Sequence, residues 1–406
     1  MPIAELEAPP VAPPIDTAAT GAPAKSLVGA VFLLGSLLSL LGSVLPVWGY
    51  HRLEAFVDAG NHFLAMALGF LIGNLISSMA SSRYPRLLLG PLPGCLFSIV
   101  GVAFFALLPP PYPIYWQLAG ALCIGIALGS LTVTVFHQVG AVYRFNTVAA
   151  FQLSGLVALV GMCATPLGVA LVVISTGSEA LLALAVVPAW IAVSFLRSDK
   201  RSCTPLPERR LKDAFADFRN PPAILLSLLL FFYLGNELSL VGWLPVFLIQ
   251  RLGVSPAVSV YALAAFGMAL LVGRTGVQAM RERARRNRVL LAGLSIAVLG
   301  CLMLLSTNNL FGAFLGVTLV GLGFSPVFPM AVERMAIRFP YYHPGVLNSL
   351  FAIGFLGGLL APFSLGYMAN LMGIRIIMLL PIAGSVVVAL LVTLLWMESR
   401  LTGSAQ

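Results

Sequence analysis

Charge is what this chain of 406 residues has least of: 9% Asp, Glu, Lys and Arg, against 59% hydrophobic residues and a mean hydropathy of +0.99. A soluble globular chain carries roughly 25% charged residues, so the scarcity excludes a water-soluble fold. The unit to count is instead the spanning helix of about 20 apolar residues. The five cysteines, Cys95, Cys123, Cys163, Cys203 and Cys301, are odd in number and scattered, with no C-x-x-C spacing. That excludes a disulfide framework and a metal site. The chain also lacks H-E-x-x-H, G-x-S-x-G, P-loop and strand-linked G-x-G-x-x-G signatures, so neither an enzyme, a cofactor nor an ATP-driven machine is expected.

What is present is a succession of apolar runs, at about 27–50, 55–80, 87–109, 114–141, 146–173, 178–197, 222–250, 256–280, 288–307, 310–337, 344–371 and 375–397. None alternates polar and apolar residues as barrel strands do. The fold expected is therefore all-α integral membrane: twelve transmembrane helices in two six-helix bundles, 27–197 and 222–397. Residues 1–26, rich in Pro and Ala and without a basic n-region, read as a flexible tail rather than a signal peptide. Residues 398–406 form a second tail.

If the N-terminus is cytoplasmic, the outer loops hold only Arg52, Arg251 and Arg375 of the 23 Lys and Arg. This asymmetry places both termini in the cytoplasm and the chain in the inner (plasma) membrane. The net charge of +9 is then a topology signal, spread over short loops, and no nucleic-acid partner is expected. In the linker, 198–221, ERRLKDAFADFR puts Leu211, Phe215 and Phe218 on one face, as in an amphipathic helix lying on the bilayer surface. A solvated linker is the plainer alternative.

The two halves look like copies. FLLGSLLSLLG (Phe32 to Gly42) lines up with FYLGNELSLVG (Phe232 to Gly242), pairing Gly35 with Gly235, Ser39 with Ser239 and Gly42 with Gly242. GNLISSMASSRYPR (from Gly73) answers GRTGVQAMRERARR (from Gly273), and VF at Val135 answers VF at Val327. Two six-helix units of like orientation imply a pseudo-two-fold axis along the membrane normal, with a substrate cavity between them near the midplane. This duplication points to a carrier of a small molecule.

The same features, with the basic loops after helices 2 and 8, resemble the major facilitator superfamily over essentially the whole chain. More narrowly, FYLGNELSLVGWLPVFL in helix 7, YRFNTVAAFQLSGL (Tyr143 to Leu156), GLGFSPVFPMA (Gly321 to Ala331) and GGLLAPFSLGYMAN (Gly357 to Asn370) are similar to the branch of fucose:proton symporters and glucose/galactose transporters. The resemblance implies a symporter that imports a sugar or sugar-like solute with protons by alternating access. It also implies acids in helices 1 and 4 for proton handling. Here those positions read Gly42 or Ser43, and Thr132.

With those acids missing, Glu237 is the remaining deep candidate, alone in the otherwise uncharged run 222–249. An unpaired carboxylate at the bilayer centre costs on the order of 3 kcal/mol on insertion scales, so the expected role is proton coupling or acceptance of substrate hydroxyls. A neutral Glu bonded to a neighbouring helix is the structural alternative. Asn236 and Trp243 share one face of helix 7 and offer an amide beside an aromatic platform, a pairing suited to a hexose. Tyr233, Thr132, Gln138, Asn146, Gln152 and Asn348 complete the candidate substrate-binding set, and His137 is a candidate proton relay. Arg274, Glu333, Arg334 and Arg338 read as an ion-pair gate at the cytoplasmic surface. The partners expected are a small-molecule substrate, a coupling ion (a proton or, in its place, sodium) and the lipid bilayer. Two rival functions fit the same fold: an exporter of drugs or amphipathic metabolites, with a greasier cavity, and a membrane sensor that binds without flux.

Overall fold

In lipid, backbone hydrogen bonds must close within the chain, which leaves long helices as the form for such runs. The computed structural model describes residues 21–52, 55–80, 91–142, 147–197, 221–280, 283–338 and 344–401. Within them lie α1 (Gly21–Val44), α2 (Phe56–Ala80), α3 (Leu92–Leu107), α4 (Ile114–Val142), α5 (Thr147–Gly168) and α6 (Val186–Arg197, entered through a 3₁₀ segment Ser178–Ala185). The second set is α7 (Pro221–Leu252), α8 (Pro256–Ala279), α9 (Arg283–Ser306), α10 (Leu310–Phe324, continued by Val327–Arg338), α11 (Pro344–Met372) and α12 (Ile376–Leu401). There is no strand among the described residues. Eleven stretches are long and apolar enough to cross a membrane, and Leu92–Leu107 is a shorter apolar helix. The expected linker helix lies outside the described residues.

Two runs that read as single helices are interrupted, and prolines explain both. After Pro166, which withholds an N–H from the ladder, α5 loosens into a π-helical turn at Val169–Val173 before Ile174–Thr176. In α10, Pro326 follows Ser325 at a turn between Phe324 and Val327, and the helix restarts beyond it.

The packing repeats with the sequence. In the first set α1 packs on α5, α2 on α4 and α3 on α4; in the second α7 packs on α11, α8 on α10 and α9 on α10. Between the sets, α2 lies along α11, α5 along α8 and α1 across α7. Glycines set the closest approaches. A Cβ on Gly69 would come 2.1 Å from the Leu122 carbonyl oxygen and one on Gly73 2.2 Å from that of Ile126, so this small-xxx-small face lets α2 lie backbone to backbone with α4.

The duplicated Gly42 and Gly242 meet each other. A Cβ on Gly42 would sit 2.0 Å from the Val241 carbonyl oxygen and 3.1 Å from the Gly242 Cα. The pair therefore marks where α1 and α7 cross, at the end of the bundle away from the start of α1, called distal below. The end at which α1 begins is called terminal.

Candidate functional site

A cavity of about 100 Å³ lies between the two sets, walled by α1, α4, α5, α7, α8, α10 and α11. Its surface is almost wholly apolar: leucine and valine from α1, Leu159 and Met162 from α5, and the rings of Phe136, Phe151, Phe328, Phe351 and Phe355. Phe136 and Phe328 are the second residues of the two duplicated VF pairs. With Phe351, whose ring lies 4.8 Å from Phe136 and 6.0 Å from Phe328, they form an aromatic layer on the terminal side.

Four polar residues reach the wall: Thr132, Ser154, Glu237 and Arg274. The Thr132 hydroxyl donates to the Leu128 carbonyl and that of Ser154 to Ala150, each within its own helix. The remaining pair is charged. Arg274 Nη2 donates to Glu237 at 2.8 Å (Oε2) and 3.1 Å (Oε1), and to the Tyr233 hydroxyl at 2.7 Å. Tyr233 in turn donates to Glu237 Oε2, one helical turn away. The guanidinium stacks over Phe328, 4.7 Å from the ring centre. Both side chains are nearly excluded from solvent, at 4% for Arg274 and 6% for Glu237, and Arg274 Nε is buried without an acceptor.

This arrangement corrects two expectations. Glu237 does have a basic partner at its own depth, so the unpaired acid does not exist in this structure. Arg274 is not part of a surface gate with Glu333, Arg334 and Arg338, because its long stem carries the guanidinium from the last turns of α8 toward the middle of α7. Glu333 and Arg334 are half-buried on the second segment of α10, where Arg334 Nη1 donates to the Val392 carbonyl at 3.4 Å. The Arg338 side chain lies outside the described residues.

Among the described residues, only Tyr233, Glu237 and Thr132 of the expected substrate-binding set gather near the cavity. Trp243 is fully buried between α2 and α11, its indole N–H donating to the Pro362 carbonyl at 2.8 Å and its ring against Phe56 and Phe63. Asn236, one residue and about 100° around the helix from Glu237, faces α12, where a Cβ on Gly384 would touch its Oδ1 at 2.0 Å. The hexose platform expected of Asn236 and Trp243 thus points away from the cavity.

Asn348 instead pairs with Asn74 across the sets, each amide donating to the other at 3.2 Å, and reaches Ser78 at 3.4 Å. His137 and Gln138 are half-buried beyond the aromatic layer, outside the cavity wall. Gln152 offers its backbone carbonyl to Gln278 at 3.4 Å. Asn146 lies outside the described residues.

Contacts between the sets flank the cavity on both sides. On the terminal side stand the Asn74–Asn348 pair and the Gln278–Gln152 contact. On the distal side the Tyr367 hydroxyl donates to Asn61 at 2.9 Å, Gln250 donates to the His51 carbonyl, and Gly60 lies against Gly366. A second cavity of about 160 Å³ sits inside the first set between α1, α3, α5 and α6; no charged residue lines it.

The two like sets of membrane helices thus hold between them a largely apolar cavity with one charged pair. Residues 147–355, just over half of the chain, match the Major Facilitator Superfamily, and the chain belongs to that family. Its apolar helices make it a multi-pass membrane protein of a family of transporters. An uncharacterized MFS-type transporter of Yersinia pestis is 28% identical over 140 residues, which span 34% of this chain and 36% of that relative. In fold, the chain is similar to a variant of the E. coli fucose:proton symporter (TM-score 0.66, 16% identity, 92% of this chain and 98% of that one). It is also similar to the nucleoside transporter NupG (TM-score 0.66, 13% identity, 92% and 98%).

Proposed function

We propose that the protein carries a small amphipathic solute through the inner membrane by alternating access, with both termini cytoplasmic and the Glu237–Arg274 pair as its polar site and proton acceptor. The observation that supports this reading is the cavity wall, in which one buried ion pair faces aliphatic and phenyl groups, with Thr132 and Ser154 the other polar residues and both hydroxyls bonded within their own helices. A hexose would present a rim of hydroxyls to that surface and lose their hydration without replacement. Sugar import is suggested by the sequence patterns and by the fold likeness to the fucose:proton symporter, but the hexose platform expected of Asn236 and Trp243 points elsewhere.

At about 100 Å³ the cavity is well below the roughly 300 Å³ at which small-molecule pockets begin. Loading therefore requires one side to open. The two groups of contacts that flank the cavity are suited to break in turn as the sets rock about the α1–α7 and α2–α11 seams.

The test is counterflow in proteoliposomes of radiolabelled glucose, fucose and 1-naphthoate, with and without an inward acid gradient. Saturable naphthoate flux that the gradient stimulates, with no hexose flux, is the expected result. Saturable hexose flux would restore the sugar reading, and absence of flux for every probe would leave a binding protein without transport.

A further inference from the structure

Resting on the reading just given, we infer that the solute is an organic monoanion with an apolar body, and that it binds together with one proton, its headgroup replacing Glu237 as the counter-ion of Arg274. Charge must balance in so dry a cavity. Arginine does not deprotonate in proteins, so only Glu237 can change the charge of the pair. As it stands the pair is neutral. Protonating Glu237 alone leaves a bare guanidinium buried among phenyl rings, and adding an anion alone puts two negative groups on one cation; either state is strongly disfavoured. The two events together restore neutrality.

The remaining ligand classes fail this balance. An organic cation at Glu237 would strand Arg274, which has no way to discharge. A neutral solute leaves the ion pair as it is and gives Glu237 no reason to take a proton. No other group in the wall can compensate: among the described residues α1, α5, α10 and α11 present only apolar side chains and the self-bonded Ser154, α4 presents Thr132, and the Tyr233 phenol already contacts both members of the pair.

The guanidinium is also built to accept a second anion. All its hydrogen bonds run through Nη2, while Nε–H, buried in the cavity wall, has no acceptor. Once a protonated Glu237 releases Nη2, that nitrogen and the idle Nε–H form one edge of a planar fork, which suits a carboxylate or sulfonate held by two parallel bonds. The ring of Phe328 beneath it and the neighbouring phenyls would take the apolar body. Because proton and anion each make room for the other, each raises the other's affinity by the same factor.

Three probes of one shape test this: benzenesulfonate, which stays ionised and cannot itself carry the proton, benzylammonium, and benzyl alcohol. Their binding to the purified full-length protein is measured by calorimetry between pH 6 and 8 in two buffers of different ionisation enthalpy. The expected result is benzenesulfonate binding with uptake of about one proton, weakening up to tenfold per pH unit as the pH rises, and at least tenfold weaker binding of the other two. In Glu237→Gln, benzenesulfonate binding becomes independent of pH and takes up no proton. Absence of benzenesulfonate binding, binding without proton uptake in the wild type, or preference for benzylammonium or benzyl alcohol would overturn the assignment; the wild-type result decides even where the variant does not fold. Naphthoate or hexose flux in the proteoliposome experiment is an independent readout, so a wrong ligand class and a wrong transport reading fail in different assays.

Discussion

The two sets of helices share a plan but not a chemistry. At matching positions the second set has Tyr233, Glu237 and Arg274 where the first has Leu33, Leu37 and Asn74. The shared residues hold the frame: Gly35 lets α1 close on α5 and Gly42 meets Gly242 where α1 crosses α7. The residues that differ make the site. In the first set Asn74, the counterpart of Arg274, makes a neutral amide pair with α11 of the other set, whereas Arg274 is held within its own set by α7. One copy thus supplies the charge, and the other supplies apolar wall and an inter-set clasp. A duplicated frame can therefore be read from what the halves keep, and its site from where they part.

The sharpest way to break this comparison is to unbalance the charged copy. Arg274→Ala leaves Glu237 buried without its counter-ion and should lower stability by about 3–5 kcal/mol, read as a large fall in the thermal midpoint of the detergent-solubilised protein. Copying the first set instead, with Glu237→Leu and Arg274→Asn together, removes both charges and should recover part of that loss, leaving about 1–3 kcal/mol for the new amide and the Tyr233 hydroxyl that loses its partners, while removing any stimulation of flux by an acid gradient. A double variant as unstable as the single one would mean the pair does more than cancel its own charge.

The shared frame is tested next. Gly42→Leu forces a side chain into the α1–α7 backbone crossing and should cost about 1–3 kcal/mol in this arrangement. A distal side more open to thiol reagents at newly placed cysteines would show it; an unchanged accessibility pattern would mean that the crossing is not a closed seam.

A smaller effect, about 1 kcal/mol, is expected for Asn348→Leu, which strands the Asn74 amide. Because the clasp joins the sets, the loss should appear as faster counterflow or a shifted balance of states more than as unfolding. Smallest is Trp243→Phe, which deletes the N–H donated to Pro362 but keeps the ring contacts, and should cost about 0.5–1.5 kcal/mol. Substrate affinity is expected to hold in that variant, whereas a platform role for Trp243 would show as a raised KM.

The frame was legible in the sequence because lipid permits so few answers: long apolar runs must be helices, and the spaced Gly35, Gly42, Gly235 and Gly242 betrayed the repeat. The pair was only half legible. Glu237 stood out as a lone acid, but Arg274 lies near the end of α8, and hydropathy locates a Cα without showing where a long stem takes its guanidinium. The usable signal was the need itself: a carboxylate at that depth requires a partner, and Arg274 is the basic residue in the adjoining helix. Asn236 and Trp243 were misplaced for a different reason. They share a face with each other, but helical spacing does not say whether that face meets the cavity or a neighbouring helix.

Coupling of proton and solute at Glu237 can be measured by comparing wild type with Glu237→Gln in proteoliposomes loaded for both counterflow and gradient-driven uptake of 1-naphthoate. The variant is expected to exchange naphthoate at a rate indifferent to pH yet no longer accumulate it against a gradient. Accumulation that persists in Glu237→Gln with its pH dependence intact would place the coupling at another residue.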